Sequence, residues 1–424
     1  MRRGIAATAL VATLALAATA CSGDSDSGQT KGSGGELAGE VTWWDTSTVG
    51  SEDKVFKKIA EDFKKKHPKV AVKYVNVPFG DAQNKFKNAA QAGAGAPDVI
   101  RAEVAWTPDF ADLGYLAPLD GTTALKNEGD FLKQAAASTK YKDKTYAVPQ
   151  VIDSMGIFYN KKMLKDAGVE VPKTIDELKT AAKKIKVKTG KTGMYLRGDD
   201  AYWFLSFLYG EGGDLVDAKN KKVTIDGPAG VKAMNVAKDL VTSGAARTDA
   251  TDGFDNMQKA FKSGDVAMMI NGPWAIADTY AGDQFKDKSN LGIAPVPAGS
   301  AGQGAPQGGH NLAVYAGSKN LDASYAFVEY MSSPEVQAQV TKELNLLPTR
   351  TAVYSQPEVA KNEIVTFFKP VVDKAVERPW IPETGSLFAP LVTEYTKVLT
   401  GQTTPEAGVK TTGESYRKLL KGWN

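Results

Sequence analysis

Strands and helices alternate along most of this 424-residue chain, which predicts an α/β protein built as two lobes. Two observations carry that reading. Short apolar runs recur ahead of stretches whose apolar residues are spaced three or four apart, the period of a helix covering a sheet. About 400 residues remain after an N-terminal leader, too many for a single hydrophobic core.

The leader comes first. Arg2 and Arg3, an apolar run from Ile5 to Ala18 and a small-residue end read as a signal peptide over residues 1–20. The run is too short to span a bilayer, and nothing stops transfer after it. The only cysteine, Cys21, stands at the cleavage point, as in bacterial lipoproteins, whose thiol becomes a lipid anchor. Residues 21–40 have almost no apolar side chains and read as a tether. A protein held outside the cell has no ATP or nicotinamide pool. With Cys21 used by the anchor, no internal disulfide is available, and the core must hold by packing.

The folded part opens with a strand at 41–44. A helix follows on Val55, Ile59 and Phe63 and ends before Pro68; then come a strand at 70–77, a helix at 81–92 and a strand at 98–100. This order implies a parallel sheet with helices on its faces, whose ligands lie beyond the carboxyl ends of the strands. A second series starts near Gly156 with a strand at 157–159. Thr174-Ile175-Asp176-Glu177 is a capping box opening a helix on Ile175, Leu178, Ala182 and Ile185. Helices are expected near 230–241 and 255–262, and a strand at 266–270. Pro273 suits the first position of a helix. Two further helices are expected: one at 323–331 with Ala326, Phe327, Tyr330 and Met331 on its apolar face, and a last large one burying Phe388, Leu391, Val392, Tyr395 and Leu399.

Charge and motifs exclude several functions. The formal net charge is +3 and falls to +1 once the leader's two arginines are gone, so nothing marks a nucleic-acid partner. Gly190-Lys191-Thr192 has Ile185 where a phosphate loop needs its first glycine. There is no serine-hydrolase elbow, and two histidines supply a metal site poorly. A carboxylate pair such as Glu103 and Asp153 leaves a glycan hydrolase open as an alternative.

The stretch Gly264-Asp265-Val266-Ala267-Met268-Met269-Ile270-Asn271-Gly272-Pro273-Trp274 resembles the G-x-x-A-M-x-x-N-G-P-W segment of maltose/maltodextrin-binding proteins of ABC transporters. Ala96-Pro97-Asp98-Val99-Ile100, Gly114-Tyr115-Leu116-Ala117-Pro118-Leu119, Ile157-Phe158-Tyr159-Asn160-Lys161 and Glu211-Gly212-Gly213 match in the same order. The resemblance implies a periplasmic-binding-protein-like fold: two lobes, each a mixed, mostly parallel sheet flanked by helices, joined by hinge strands with the sugar between them. It puts the first lobe at 41–152 plus 311–358 and the second at 155–308 plus 362–424, with crossings near Asp153, Gly309 and Val359. It implies no catalysis and no cofactor. The expected partners are an oligosaccharide of maltose/maltodextrin type, or trehalose or another glucoside, and the subunits of an ABC permease. The chain is expected to be a monomer on the outer face of the cytoplasmic membrane; a role in sensing is equally compatible.

A pyranose ring has apolar faces and a hydroxyl rim, so its pocket wants flat aromatics and planar polar groups. Trp274, directly after a strand, is the leading aromatic. Tyr202 and Trp203 follow in the acidic-aromatic stretch after Asp199-Asp200, then Trp106 and Phe388. Trp106 stands where the best-known members carry a different sequence. Asp153 matches an acidic hinge residue, and Glu103 and Asp45 end strands on the cleft side; ionised carboxylates make strong hydrogen bonds to hydroxyls. Gln83 and Arg378 are further polar candidates. Gly309 would let the backbone approach a ligand.

Overall fold

The computed structural model describes residues 37–424. The leader, Cys21 and most of the tether lie outside the described residues. The first lobe opens with β1 (Gly39–Asp45), α1 (Glu52–Lys66), β2 (Val70–Asn76), α2 (Phe79–Ala92), β3 (Val99–Glu103), α3 (Trp106–Asp112) and β4 (Ala147–Asp153). The chain then crosses to β5 (Gly156–Asn160), α4 (Ile175–Thr189), β6 (Thr192–Tyr195), α5 (Ala201–Gly210), α6 (Pro228–Thr242), β7 (Ala246–Arg247), α7 (Gly253–Ser263), β8 (Val266–Asn271) and β9 (Leu291–Pro295). It returns through β10 (Gly308–Val314), α8 (Leu321–Met331), α9 (Pro334–Leu344) and β11 (Leu347–Pro348). The chain ends with α10 (Glu363–Asp373), α11 (Thr384–Leu399) and α12 (Pro405–Leu419).

Two sheets result, ordered β11-β4-β10-β3-β1-β2 and β7-β6-β8-β5-β9. Both are mixed, as expected, with antiparallel pairings at least as many as parallel ones. In the first, β1 is parallel to β2 and β3, but β10 runs antiparallel to β3 and β4. In the second, β6 is parallel to β7 and β8, while β5 is antiparallel to β8 and β9. The antiparallel strands β4, β10 and β5 flank the crossings between lobes, so the direction of the chain there sets their sense.

The period-two pattern of β1 explains the first core. Val41 and Trp43 face one cluster with Phe56, Phe63 and Phe327, and Trp44 faces another with Phe86, Trp106 and Phe110. Both sheet faces are therefore buried. The second lobe gathers Phe158, Phe204, Met268, Met269, Phe368 and Tyr395 in one cluster.

Two expectations about helix faces change. In α8 the buried stripe is Ala323, Ser324, Phe327, Val328 and Met331, with Ala326 and Tyr330 only half-buried at its edge. In α11 the inward positions are Leu387, Leu391, Tyr395, Val398 and Leu399; Phe388 and Val392 are half-buried. α12 follows it, so α11 is not the last long helix. Pro273 opens a single 3-10 turn, Pro273–Ala275, and the short helix Ile276–Tyr280 continues from it. Val359 lies in the short helix Pro357–Ala360, buried with Ala338, Val353 and Val365.

The Thr174 cap forms, while Glu177 reaches back one residue beyond the position a capping box uses. Thr174 Oγ1 accepts from the Glu177 amide at 3.2 Å, and the Glu177 carboxylate accepts from the Lys173 amide at 2.7 Å. Losing such a cap costs about 1 kcal/mol. Thr174→Ala is therefore expected to lower unfolding free energy by about that amount in urea titrations, whereas Thr174→Asp should hold it; an alanine variant as stable as wild type would contradict the cap's role.

Candidate functional site

Several expected residues converge where β3, β10, the end of β4 and the segment before α11 approach one another. Glu103 ends β3, and its carboxylate pairs with the Arg378 guanidinium. Arg378 Nε also donates to the Gln307 carbonyl at 3.0 Å. Val376 pairs with Pro306 just before it, which aligns the Arg378 segment with the chain crossing back to the first lobe. The arginine is 3% exposed, so its charge has to be met inside the protein. Glu103 is held from its own side as well, accepting from the Ala105 amide at 3.0 Å.

Asp153, at the end of β4, is buried beside this pair. Burial, reinforced by the negative charge of Glu103 and opposed by Arg378, pushes its carboxyl up to about 7. Gly308 pairs with Asp153 across β10. A side chain at Gly308 would collide with both the Asp153 carboxylate and the Tyr202 hydroxyl, so glycine is what lets those two groups flank the strand. Gly309 has φ +135°, and a Cβ there would collide with the Val151 carbonyl oxygen. Its close approach is thus to a neighbouring strand, beside the register shift at His310/Asn311, which differs from the backbone-to-ligand approach expected of it.

The aromatic side comes from α5 and the turn after β8. Asn271 builds that turn, its side chain accepting from the Gly272 amide at 2.9 Å and donating to Gln258 at 3.0 Å. The Trp274 indole folds back over Gly272, where any side chain would overlap the ring. This is the physical sense of the Asn-Gly-Pro-Trp run. Trp274 is half-buried and packs against the core clusters of both lobes. Its ring centre lies 6.5 Å from that of Tyr202 and 6.3 Å from that of Trp203. The Arg378 guanidinium lies 5.4 Å from the Tyr202 ring centre and 5.9 Å from that of Trp380.

Other expected residues stand apart. Trp203 is buried, donates to the Ile270 carbonyl at 2.7 Å and carries Arg197 over its ring at 4.2 Å, so it supports Trp274 from below. Asp45 is fully buried and already committed, accepting from Tyr74 at 2.7 Å and from Ser47, with Arg101 at 3.9 Å. It serves to hold Arg101 and leaves no carboxylate face for a hydroxyl. Trp106 is 6% exposed and lies under Phe79. Gln83 donates to Asp109 at 3.2 Å and reaches within 2.8 Å of the Cβ position of Gly385 on α11, at the seam between the lobes. Phe388 packs half-buried on the second-lobe core.

Buried polar atoms without a hydrogen-bond partner gather around the ion pair: the Tyr202 hydroxyl, the Trp380 indole nitrogen, the Gln307 side-chain oxygen Oε1 and both ring nitrogens of His310. Each such group costs about 1–3 kcal/mol unless something completes it. Aromatic faces beside uncommitted donors and acceptors are what a sugar ring and its hydroxyls require. Sequence reasoning missed His310 and Phe79; only the strand pairing that puts His310 opposite Glu103 brings the histidine into view. A broad cavity of about 630 Å³ on the second lobe, lined by Asp214, Lys222, Thr224 and Arg417, reaches the Glu377-Arg378-Pro379 segment from its other side and has no aromatic wall.

Residues 47–338 match the family of bacterial extracellular solute-binding proteins. The chain belongs to that family. The fold agrees closely with the GacH receptor of Streptomyces glaucescens, solved without ligand and with acarbose and an acarbose homolog. The TM-score is 0.90 at 66% identity, covering 92% of this chain and 100% of that one. A diacetylchitobiose-binding protein of Streptomyces coelicolor, DasA, is 29% identical over 99% of this chain and all of its own. A maltooligosaccharide ABC transporter solute-binding lipoprotein of Streptococcus pneumoniae is 28% identical over 74% of each chain.

The raised Asp153 carboxyl makes the solute-binding protein's stability depend on pH. Below about pH 4 the group is protonated whether the chain is folded or not, and it contributes no difference. As pH rises from about 4 to 7 the unfolded chain releases the proton while the folded one keeps it, so stability falls; above about 7 the loss is complete. Asp153→Asn removes the titration. It is expected to stabilise the protein by up to about 4 kcal/mol at pH 8 and by little at pH 4. Urea unfolding at the two pH values checks this, and an equal effect at both would show that the carboxyl is not strained.

Proposed function

We propose that this solute-binding protein captures an α-linked gluco-oligosaccharide, or a pseudo-oligosaccharide of the acarbose kind, between its lobes and delivers it to an ABC permease. The observation that carries this reading is the meeting of Trp274 and Tyr202 with the Glu103–Arg378 pair, Asp153 and a set of unpartnered hydrogen-bonding atoms. The 66% identity to a receptor that takes acarbose favours this sugar class over diacetylated chitobiose, to whose binding protein the identity is 29%. The ligand residues are Trp274, Tyr202, Asp153, Glu103 and Arg378, with Gln83 and Phe388 at the seam.

The lobes are taken as 41–152 plus 311–358 and 155–308 plus 362–424, turning about the crossings near Asp153 and Gly309. Cys21 carries the lipid that keeps the protein at the outer face of the cytoplasmic membrane, in line with the lipoprotein among its relatives. Glu103 is tied to Arg378 and is not poised as a general acid, which supports binding without hydrolysis.

Calorimetry with maltotriose, maltotetraose, acarbose and diacetylchitobiose tests the reading. We expect an α-glucan or acarbose to bind in the micromolar range or tighter, about −8 kcal/mol or below, and the sugars to be recovered uncut. Trp274→Ala should weaken binding by at least about tenfold, or 1.4 kcal/mol. Binding of diacetylchitobiose alone, or of no sugar, would overturn the assignment.

A further inference from the structure

Phe79 opens α2 and is 48% exposed, the one aromatic side chain among the exposed large apolar residues of the described chain. A single exposed phenyl ring is ordinary on its own; what sets Phe79 apart is the pair of rings it stands against. One of its faces rests on Trp106, with ring centres 5.2 Å apart and planes at 30°. Trp106 in turn sits against Phe110 at 6.2 Å, within the core under α2 and α3. Phe79 is therefore held rigidly from below.

Beside it lies His310 on β10, its ring centre 6.0 Å from that of Phe79 and its plane at 71°. His310 is paired across the sheet with Glu103 on one side and Val151 on the other. Both ring nitrogens are buried without a partner, while the residue as a whole remains partly exposed. Burial, together with the positive charges of Arg101 and Arg378, holds its pKa well below the usual histidine range. The ring is thus a neutral imidazole, with one donor and one acceptor.

We infer that Phe79 and His310 form a first-lobe subsite for one sugar ring: the phenyl face stacks on the pyranose, the imidazole hydrogen-bonds its hydroxyls, and Trp106 is the buttress. The aromatic expected to meet the ligand, Trp106, is then a positioning residue, and the exposed ring above it does the stacking. A flat apolar face set edge-on to a neutral donor–acceptor pair fits the apolar C–H face and hydroxyl rim of a pyranose. A carboxylate or phosphate ligand would instead leave the acceptor nitrogen opposed to negative charge. Gln83, one turn further along α2 and next to Gly385 of the second lobe, puts this subsite at the seam between the lobes.

This inference rests on the oligosaccharide reading, and the two can fail separately. Calorimetry at pH 7.5 with maltotetraose and with acarbose is run on wild type, Phe79→Ala, Phe79→Leu, His310→Ala and His310→Gln, with melting temperatures on the same samples. We expect Phe79→Ala and His310→Ala each to weaken binding at least tenfold at unchanged melting temperature. Phe79→Leu, which keeps apolar bulk but not a flat face, should weaken it nearly as much. His310→Gln, which keeps a donor and an acceptor, should recover part of the loss. Alanine variants that bind like wild type, or lose affinity only as they lose stability, overturn the subsite. A His310→Gln variant no better than His310→Ala overturns the hydrogen-bonding role. A wild type that binds neither sugar overturns the oligosaccharide reading and the subsite with it.

Discussion

The Glu103–Arg378 ion pair is the constraint around which the site is arranged. Glu103 ends a strand of the first sheet, and Arg378 lies between two helices that pack on the second lobe's core. Both charges are largely buried, and a buried charge without its partner is costly, by about 3–5 kcal/mol when one member is removed. The two lobes can therefore bury these groups only together. Asp153 is protonated more readily because it is buried and because Glu103 is near, and Tyr202 and Trp380 lie beside the guanidinium. His310 remains neutral in part because Arg378 is close. Moving the lobes apart would alter all of these at once, which couples the state of the cleft to its chemistry.

The remaining architecture holds that pair in place. Trp43 and Trp44 pack on opposite faces of one strand and fix the first sheet between two layers. Asp45, Tyr74 and Ser47 position Arg101 behind Glu103. In the second lobe, Trp203 and Arg197 support Trp274 from beneath, and Asn271 and Gly272 bring the indole back across the end of its strand. Rigid scaffolds behind each half leave the gap between the lobes as the place where hydrogen-bonding groups remain uncommitted.

Much of the fold was legible in the chain. The apolar spacing of Val55, Ile59 and Phe63 and the Thr174–Glu177 box mark helices that form where expected, because a local period or cap decides them. The senses of β4, β5 and β10 were not legible, since they depend on which lobe the chain enters next. For the same reason Asp45 looked like a ligand residue: its place at a strand end says nothing of Tyr74, 29 positions away, which takes its carboxylate. Trp106 looked available because its burial comes from Phe79, and His310 passed unnoticed because a lone histidine in a strand gives no periodic signal. The Asn-Gly-Pro-Trp run was the exception: turn and aromatic lie within four residues, so sequence alone carried both.

If the site exists only where the lobes meet, a ligand that touches both must favour the closed arrangement over the open one, because only a difference in affinity shifts such an equilibrium. Small-angle scattering of the full protein with and without saturating maltotetraose or acarbose measures this directly. The account predicts a smaller radius of gyration with sugar bound. An unchanged radius, with binding confirmed in the same buffer, would contradict it.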